Sequence, residues 1–335
     1  MGRDFVMIQG KPDRPAVVFI HGLGMDKRIW ESPDESRILG GKFPLSLVVG
    51  RSQGPEEGTA DEQGDITGGL HLGRPAKGLT TLFHSLRQEG CTVITWSQQR
   101  PSGGMDVAVS ELRDVLAHSD HRTRAGVVLI GHSRGGLVAR KYLTRKDERV
   151  RCVVTLATPH KGSAMARWGE YLAPAASLIS SLLPESERGT ALHAVKKVLD
   201  FLRSRAVEEL LPGSRFFRSL GDSPQRGICY LSSGGSNPTL FTVYRRVIEK
   251  VSDDEGERAV VRSRPVFSVP EIFERVIPAR LFPKEMKQGK GDGLVSTESS
   301  VLPWSDEHYE FSVNHAEILF DERVKRTIVD AVNNL

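Results

Sequence analysis

The stretch GVVLIGHSRGGLVARKYL, residues 126–143, constrains this chain more than any other. Val127 to Ile130 form an unbroken apolar run, the composition of a strand buried on both faces. The run meets Gly131, then His132, Ser133 and Arg134, then Gly135 and Gly136, and apolar residues at helical spacing follow. A strand that becomes a helix within so few residues leaves no room for side chains at the bend. Gly131 and Gly135, two positions before and after Ser133, permit the close backbone approach. Such a turn lifts Ser133 above the carboxyl end of a sheet, with its hydroxyl exposed and the following helix aiming its N-terminus at the same point.

The rest of the chain supplies the expected surroundings. Further strand-like runs are AVVFI (16–20), CTVITW (91–96), RCVVTLA (151–157) and GICYLSS (227–233). Between them lie helical patterns, one with apolar residues at 79, 82, 83 and 86, another with Val107, Leu112, Val115 and Leu116. Strands alternating with helices imply parallel crossovers and a mostly parallel central sheet covered by helices on both faces, an α/β fold. Three segments interrupt the alternation. Residues 31–77 are polar and glycine-rich and read as a loop. Residues 161–220 carry helical patterns and no strand, including Leu192, Val195, Val198, Leu199 and Leu202 on one stripe, and read as a helical cap or lid. Residues 234–288 form a second insertion, charged and solvent-facing at its middle. The expected organisation is a core of 1–160 and 221–335, with 161–220 inserted as the lid.

The bulk properties exclude several classes. Forty-six Lys and Arg stand against 42 Asp and Glu, interspersed, so the net charge of +4 provides no basic block for nucleic acid. Cys91, Cys152 and Cys229 lie in apolar runs without metal-ligand spacing and read as buried thiols. The first residues lack the apolar core of a secretory leader, and no stretch has the ~18 uncharged apolar residues of a membrane helix, which points to a soluble chain of a reducing compartment such as the cytoplasm.

A serine hydroxyl becomes a nucleophile only when a base removes its proton, and the base is a histidine oriented by a carboxylate. On a strand–turn–helix serine of this kind the chain order is Ser, Asp or Glu, His. Asp292, in the turn KGDGLVS between Gly291 and Gly293, and His315, directly after the strand-like HYEFSV, satisfy that order. Asp306 and Asp222 are the alternative acids. Of the other histidines, His21 and His132 read as loop supports, His160 as a loop brace or substrate contact, His308 lies too near the start of its strand, and His193 falls in the lid. Glu317 and Asp321 read as surface carboxylates at helical spacing rather than a calcium site.

The pieces FIHGLGMDKRIW, LIGHSRGGLVARKYL, VVTLATPHKGS, GDGLVS and VNHAEIL together resemble the α/β-hydrolase lipases and esterases, in particular the bacterial triacylglycerol-lipase type. The resemblance implies Ser133 as nucleophile, Asp292 as acid and His315 as base. It implies the Leu23 and Arg134 backbone N–H groups as the oxyanion hole, and 161–220 as a lid able to meet a lipid interface without stable membrane insertion. Its substrate would be a small-molecule ester or lipid, with no metal or organic cofactor. The same parts serve thioesters, phospholipid acyl chains and polyesters, or an idle ligand-binding site, and pocket shape decides among them.

Overall fold

A computed structural model of the chain describes residues 4–37, 58–59, 70–72, 78–101, 103–120, 123, 125–165, 204–253, 256–269, 271, 274, 278 and 280–335. Its eleven described strands are β1 (Phe5–Ile8), β2 (Ala16–Ile20), β3 (Gly58–Thr59), β4 (Leu70–Leu72), β5 (Thr92–Trp96), β6 (Val127–His132), β7 (Val150–Leu156), β8 (Cys229–Gly235), β9 (Phe241–Asp253), β10 (Gly256–Val269) and β11 (Glu307–Phe311). Seven of them form the central sheet in the order β1-β5-β2-β6-β7-β8-β11. Every neighbouring pair in it is parallel except β1 with β5.

The buried strands alternate between two cores, as a pleated strand must. Ala16, Val18 and Ile20 of β2 face one core with Val127 and Leu129 of β6; Val17 and Phe19 face the other with Val128 and Ile130. The helices Met105–His118 and Arg134–Leu143 pack on the first core, and Leu82–Gln88 and Glu322–Asn333 close the second. These four helices are α1 (Leu82–Gln88), α2 (Met105–His118), α3 (Arg134–Leu143) and α4 (Glu322–Asn333). The mostly parallel sheet with helices on both faces is the expected architecture. On α2 the buried stripe is Met105, Ala108, Val109, Leu112, Val115 and Leu116, so Ala108 and Val109 take the place that Val107 holds in the sequence reading.

Chain order sets where a site can form. From β2 the chain crosses to β5 on one side, while β6 leads to β7 on the other, and β2 and β6 are neighbours. Connections that leave adjacent parallel strands in opposite directions open a crevice at their carboxyl ends. The turn after β2 and the serine after β6 both border it.

The two insertions around 31–77 and 234–288 meet in a second sheet. β9 and β10 pair antiparallel from Phe241↔Val269 to Asp253↔Gly256, and β3 and β4 flank them in the order β3-β10-β9-β4. Residues 58–59 and 70–72 are thus strands, whereas the polar composition around them reads as loop. The register of the hairpin shifts between Pro265 and Phe267, where proline removes a ladder donor. Most of 161–220 lies outside the described residues, including the stripe from Leu192 to Leu202 and His193; its described ends carry one-turn helices at Arg205–Glu208 and Arg215–Ser219.

Candidate active site

Ser133 stands between β6 and α3 with φ 53° and ψ −126°, a strained conformation for a residue with a side chain. Close packing holds it there. A Cβ on Gly131 would lie 2.4 Å from the Gly136 nitrogen, and one on Gly135 would lie 2.3 Å from the Ile20 carbonyl oxygen. The Ser133 N–H donates to the Leu156 carbonyl at 2.8 Å, fixing the turn to β7. Its neighbours His132 and Arg134 are buried while Ser133 itself is only partly so.

Asp292 and His315 come together although 23 residues separate them: His315 Nδ1–H donates to Asp292 Oδ2 at 2.9 Å. That bond places the proton on Nδ1 and leaves Nε2 as the acceptor. Asp292 Oδ1 accepts from the N–H groups of Leu294 and Val295 at 3.0 and 2.7 Å, and the carboxylate is 1% exposed. The two loops are also joined by their backbones, His315 N–H donating to the Asp292 carbonyl at 3.0 Å. His132 ties this pair to the sharp strand-to-helix elbow that carries Ser133. Its Nε2–H donates to the His315 carbonyl at 2.9 Å, and the two rings lie 4.8 Å apart at their centroids. Burial and the neighbouring His315 hold the His132 imidazole well below its ordinary range, so it is neutral. Ser133 Oγ makes no hydrogen bond to the His315 imidazole among the described residues.

The turn after β2 lies against the elbow. A Cβ on Gly22 would stand 3.0 Å from His132 Nδ1 and 3.2 Å from the Ser133 Cβ. Met25 N–H donates to the Gly22 carbonyl at 3.4 Å and Gly24 adopts φ 73°, which closes a tight turn around the partly buried Leu23. Burial pushes His21 down to about 4, so it too is neutral.

The remaining sequence candidates have other tasks. Asp306 accepts from the Tyr230 N–H at 2.7 Å, and Asp222 pairs with Arg140 at 2.7 Å. His160 is a brace: Nδ1 accepts from Arg140, Nε2–H reaches Thr155 Oγ1 at 3.0 Å, and the ring is buried. His308 meets Ser232 Oγ through Nδ1 at 2.8 Å. Asp321 caps α4 through the Arg323 and Val324 N–H groups. Glu317 departs from its reading as a surface carboxylate. It is 7% exposed and accepts the Asn314 N–H at 2.9 Å, while Asn314 Oδ1 accepts from Ala316 and Glu317, so the pair shapes the loop that carries His315. No group of three His, Cys, Asp or Glu able to hold a metal occurs among the described residues. No described helix is long and apolar enough to cross a membrane. Cys91 and Cys152 are buried and Cys229 partly so, all three unbridged.

Segments 161–220 and 234–288 are each tied to these loops by a described residue. Ser163 Oγ–H donates to the Leu294 carbonyl at 2.6 Å, and Asn314 Nδ2 donates to the Thr239 carbonyl at 2.9 Å. The sequence reading passed over Asn314 and Gln98, and placed Glu317 on the surface rather than in the loop of His315. A signal for Gln98 exists: it is a polar residue two positions past an apolar strand, at the edge where the serine emerges.

Residues 105–173 match the family model of the PGAP1-like alpha/beta domain. This span runs from α2 through the Ser133 turn and β7 to His160 and beyond. A comparison with curated proteins finds no match. Among solved structures, the chain is similar to a Bacillus licheniformis lipase in mature form, with 15% identity and a TM-score of 0.51, over 98% of this chain and 97% of that one. It is also similar to a hydrolase from Oleispira antarctica, with 12% identity and a TM-score of 0.45, over 99% and 95% of the two chains. The first likeness, together with the sheet order, establishes an α/β-hydrolase fold.

Proposed function

We propose that the chain is a serine carboxylester hydrolase of the lipase and esterase kind. The observation that carries this reading is the 2.9 Å bond from His315 Nδ1–H to the buried carboxylate of Asp292, beside a serine raised at positive φ on the carboxyl edge of the sheet. Asp292 fixes the tautomer that leaves His315 Nε2 free to accept a proton. Ser133 Oγ attacks the ester carbonyl as Nε2 takes its proton, a contact that tightens when substrate is bound. The negative charge that develops on the carbonyl oxygen is received by the backbone N–H groups of Leu23 and Arg134, worth roughly 3 kcal/mol for a donor of this kind. The imidazolium then protonates the departing alkoxide, so an alcohol leaves and the acyl group stays on Ser133. Water, deprotonated by Nε2, attacks the acyl-enzyme; the carboxylic acid leaves and the proton returns to the serine. No step calls for a metal or organic cofactor.

On this reading the substrate is a small-molecule ester or lipid, and 161–220 forms the lid over it. The rooting of that segment on the Leu294 carbonyl, two residues from Asp292, supports a covering position. A fluorophosphonate probe should label the intact chain, and Ser133→Ala should lose both labelling and turnover of p-nitrophenyl esters while melting like the parent. Undiminished turnover in that variant ends the reading. A series of acyl chain lengths places the enzyme: retained activity at about ten carbons or more marks a lipase, and a peak at short chains an esterase.

A further inference from the structure

The two N–H groups assigned to the oxyanion belong to separate segments, the turn after β2 and the start of α3. Their spacing is therefore set by whatever ties those segments together, and the side chain of Gln98 spans them. Gln98 follows β5 by two residues and is 6% exposed. Its Oε1 accepts from Arg134 Nη1 at 3.1 Å, and its Nε2–H reaches the His21 carbonyl at 3.5 Å. Its backbone N–H donates to His21 Nε2 at 3.1 Å. Because Nε2 accepts, the His21 proton sits on Nδ1, which donates to the Gly22 carbonyl at 2.9 Å. The same carbonyl closes the turn around Leu23 through Met25. A continuous chain of hydrogen bonds thus runs from the Arg134 guanidinium through Gln98 and His21 to the turn that holds Leu23.

The far side of Arg134 is anchored as well. Its side chain is 1% exposed, Nη2 donates to the Gly103 carbonyl at 2.7 Å, and the Glu209 carboxylate stands 4.0 Å away. Glu209 Oε2 in turn accepts the Met105 N–H at 2.8 Å, at the start of α2. A buried charge with directed partners has few alternative positions. Gln98 therefore works against a fixed post, and a change in its side chain moves the turn relative to the elbow.

We infer that Gln98 is a positioning residue of the oxyanion hole, bridging Arg134 and His21 so that the Leu23 and Arg134 N–H groups converge on one point. The inference rests on the esterase reading above. Gln98→Met removes both polar ends at nearly constant volume; Gln98→Glu restores an acceptor for Arg134. Each is compared with the parent on a p-nitrophenyl ester and on its thionoester, in which sulfur replaces the carbonyl oxygen. A well-placed pair of donors favours oxygen, so the ester-to-thionoester ratio reports the hole itself rather than general stability.

The expected result for Gln98→Met is a fall in kcat of roughly thirtyfold, as misplacement of catalytic groups by a fraction of an ångström to an ångström produces, with little change in KM. The ester-to-thionoester ratio should fall several-fold, and Gln98→Glu, which restores the acceptor for Arg134 but not the donor to the His21 carbonyl, should recover only part of both. The inference is overturned if kcat and the ratio in Gln98→Met match the parent. It is equally overturned if kcat falls only in step with the melting temperature while the ratio stays constant. Fluorophosphonate labelling of the parent separates the two levels: a labelled parent with an indifferent Gln98 removes this inference alone, whereas an unlabelled parent removes the esterase reading and this inference with it.

Discussion

The elbow at Ser133 and the Asp292–His315 pair are built by different means. The elbow is a contiguous segment whose shape is dictated by the absence of side chains, with Gly135 pressed against the Ile20 and His21 carbonyls. The Asp292–His315 pair is assembled from two loops, held by Asp292 Oδ1 on two N–H groups, by His315 N–H on the Asp292 carbonyl and by the Asn314–Glu317 exchange. Steric fit fails as soon as an atom is added. A hydrogen-bonded pair tolerates an isosteric change and fails when the direction of a single proton is reversed. The first kind of construction should therefore break in stability, the second in chemistry.

The largest expected effect is chemical. In Asp292→Asn the side-chain oxygen is held by the Leu294 and Val295 N–H groups, as Oδ1 is now, so the amide NH₂ faces His315. It would donate to Nδ1, force the proton to Nε2 and abolish the base. A loss of about 10⁴-fold in kcat is expected, about 5.5 kcal/mol, with an unchanged melting temperature. Loss of less than tenfold would break the assignment of Asp292 as the acid. The next effect is steric. Gly135→Ala places a carbon 2.3 Å from the Ile20 carbonyl oxygen in a central strand, where the backbone cannot yield cheaply. A loss of about 3 kcal/mol in unfolding free energy is expected from denaturant titration. Stability equal to the parent would mean that the elbow is looser than its contacts imply.

The same contrast explains which parts can be read from the sequence. The elbow is legible because every constraint on it is local: an apolar strand, glycines at fixed offsets and a helix. The central strands are legible because burial on both faces demands unbroken Val, Ile and Leu. The pairing of Asp292 with His315 is reached through order and turn context, but the part that Asn314 and Glu317 play beside it is not, since a short-range exchange of hydrogen bonds within a loop has no periodic signature. The hairpin β9–β10 escapes for a different reason. Adjacent charges such as Arg245-Arg246 and Glu249-Lys250 break the period-2 pattern, and its flanking strands β3 and β4 lie more than 150 residues earlier, in a segment whose composition is that of a loop. Pairing at that distance is a property of the folded chain. Gln98 is similar: its position after a strand is visible, but its two partners come from other strands' ends.

The smallest effect concerns the histidines that brace both halves. Burial lowers His21 to about 4 and holds His132 and His160 well below their ordinary range; His84 and His308 shift in the same direction, also chiefly by burial. In the unfolded chain each would titrate near the ordinary imidazole value of 6.5. As pH falls below that value the unfolded state binds protons that the native state refuses, so the stability these groups contribute is present above about 6.5 and is lost as pH falls toward the folded values. Each fully depressed histidine contributes a slope of about 1.4 kcal/mol per pH unit. Asp147 acts elsewhere: lowered to about 2 first by its hydrogen bond with Arg149, it contributes stability that is lost only below 3.8. Between about pH 6.5 and 5 the melting temperature should therefore fall steadily, and His160→Gln, which replaces a brace outside the elbow and the Asp292–His315 pair, should flatten that fall by one histidine's share. A melting temperature constant across this window would show that the rings take up protons in the folded chain, and would remove the neutral His21 and His132 on which the junction of the two halves depends.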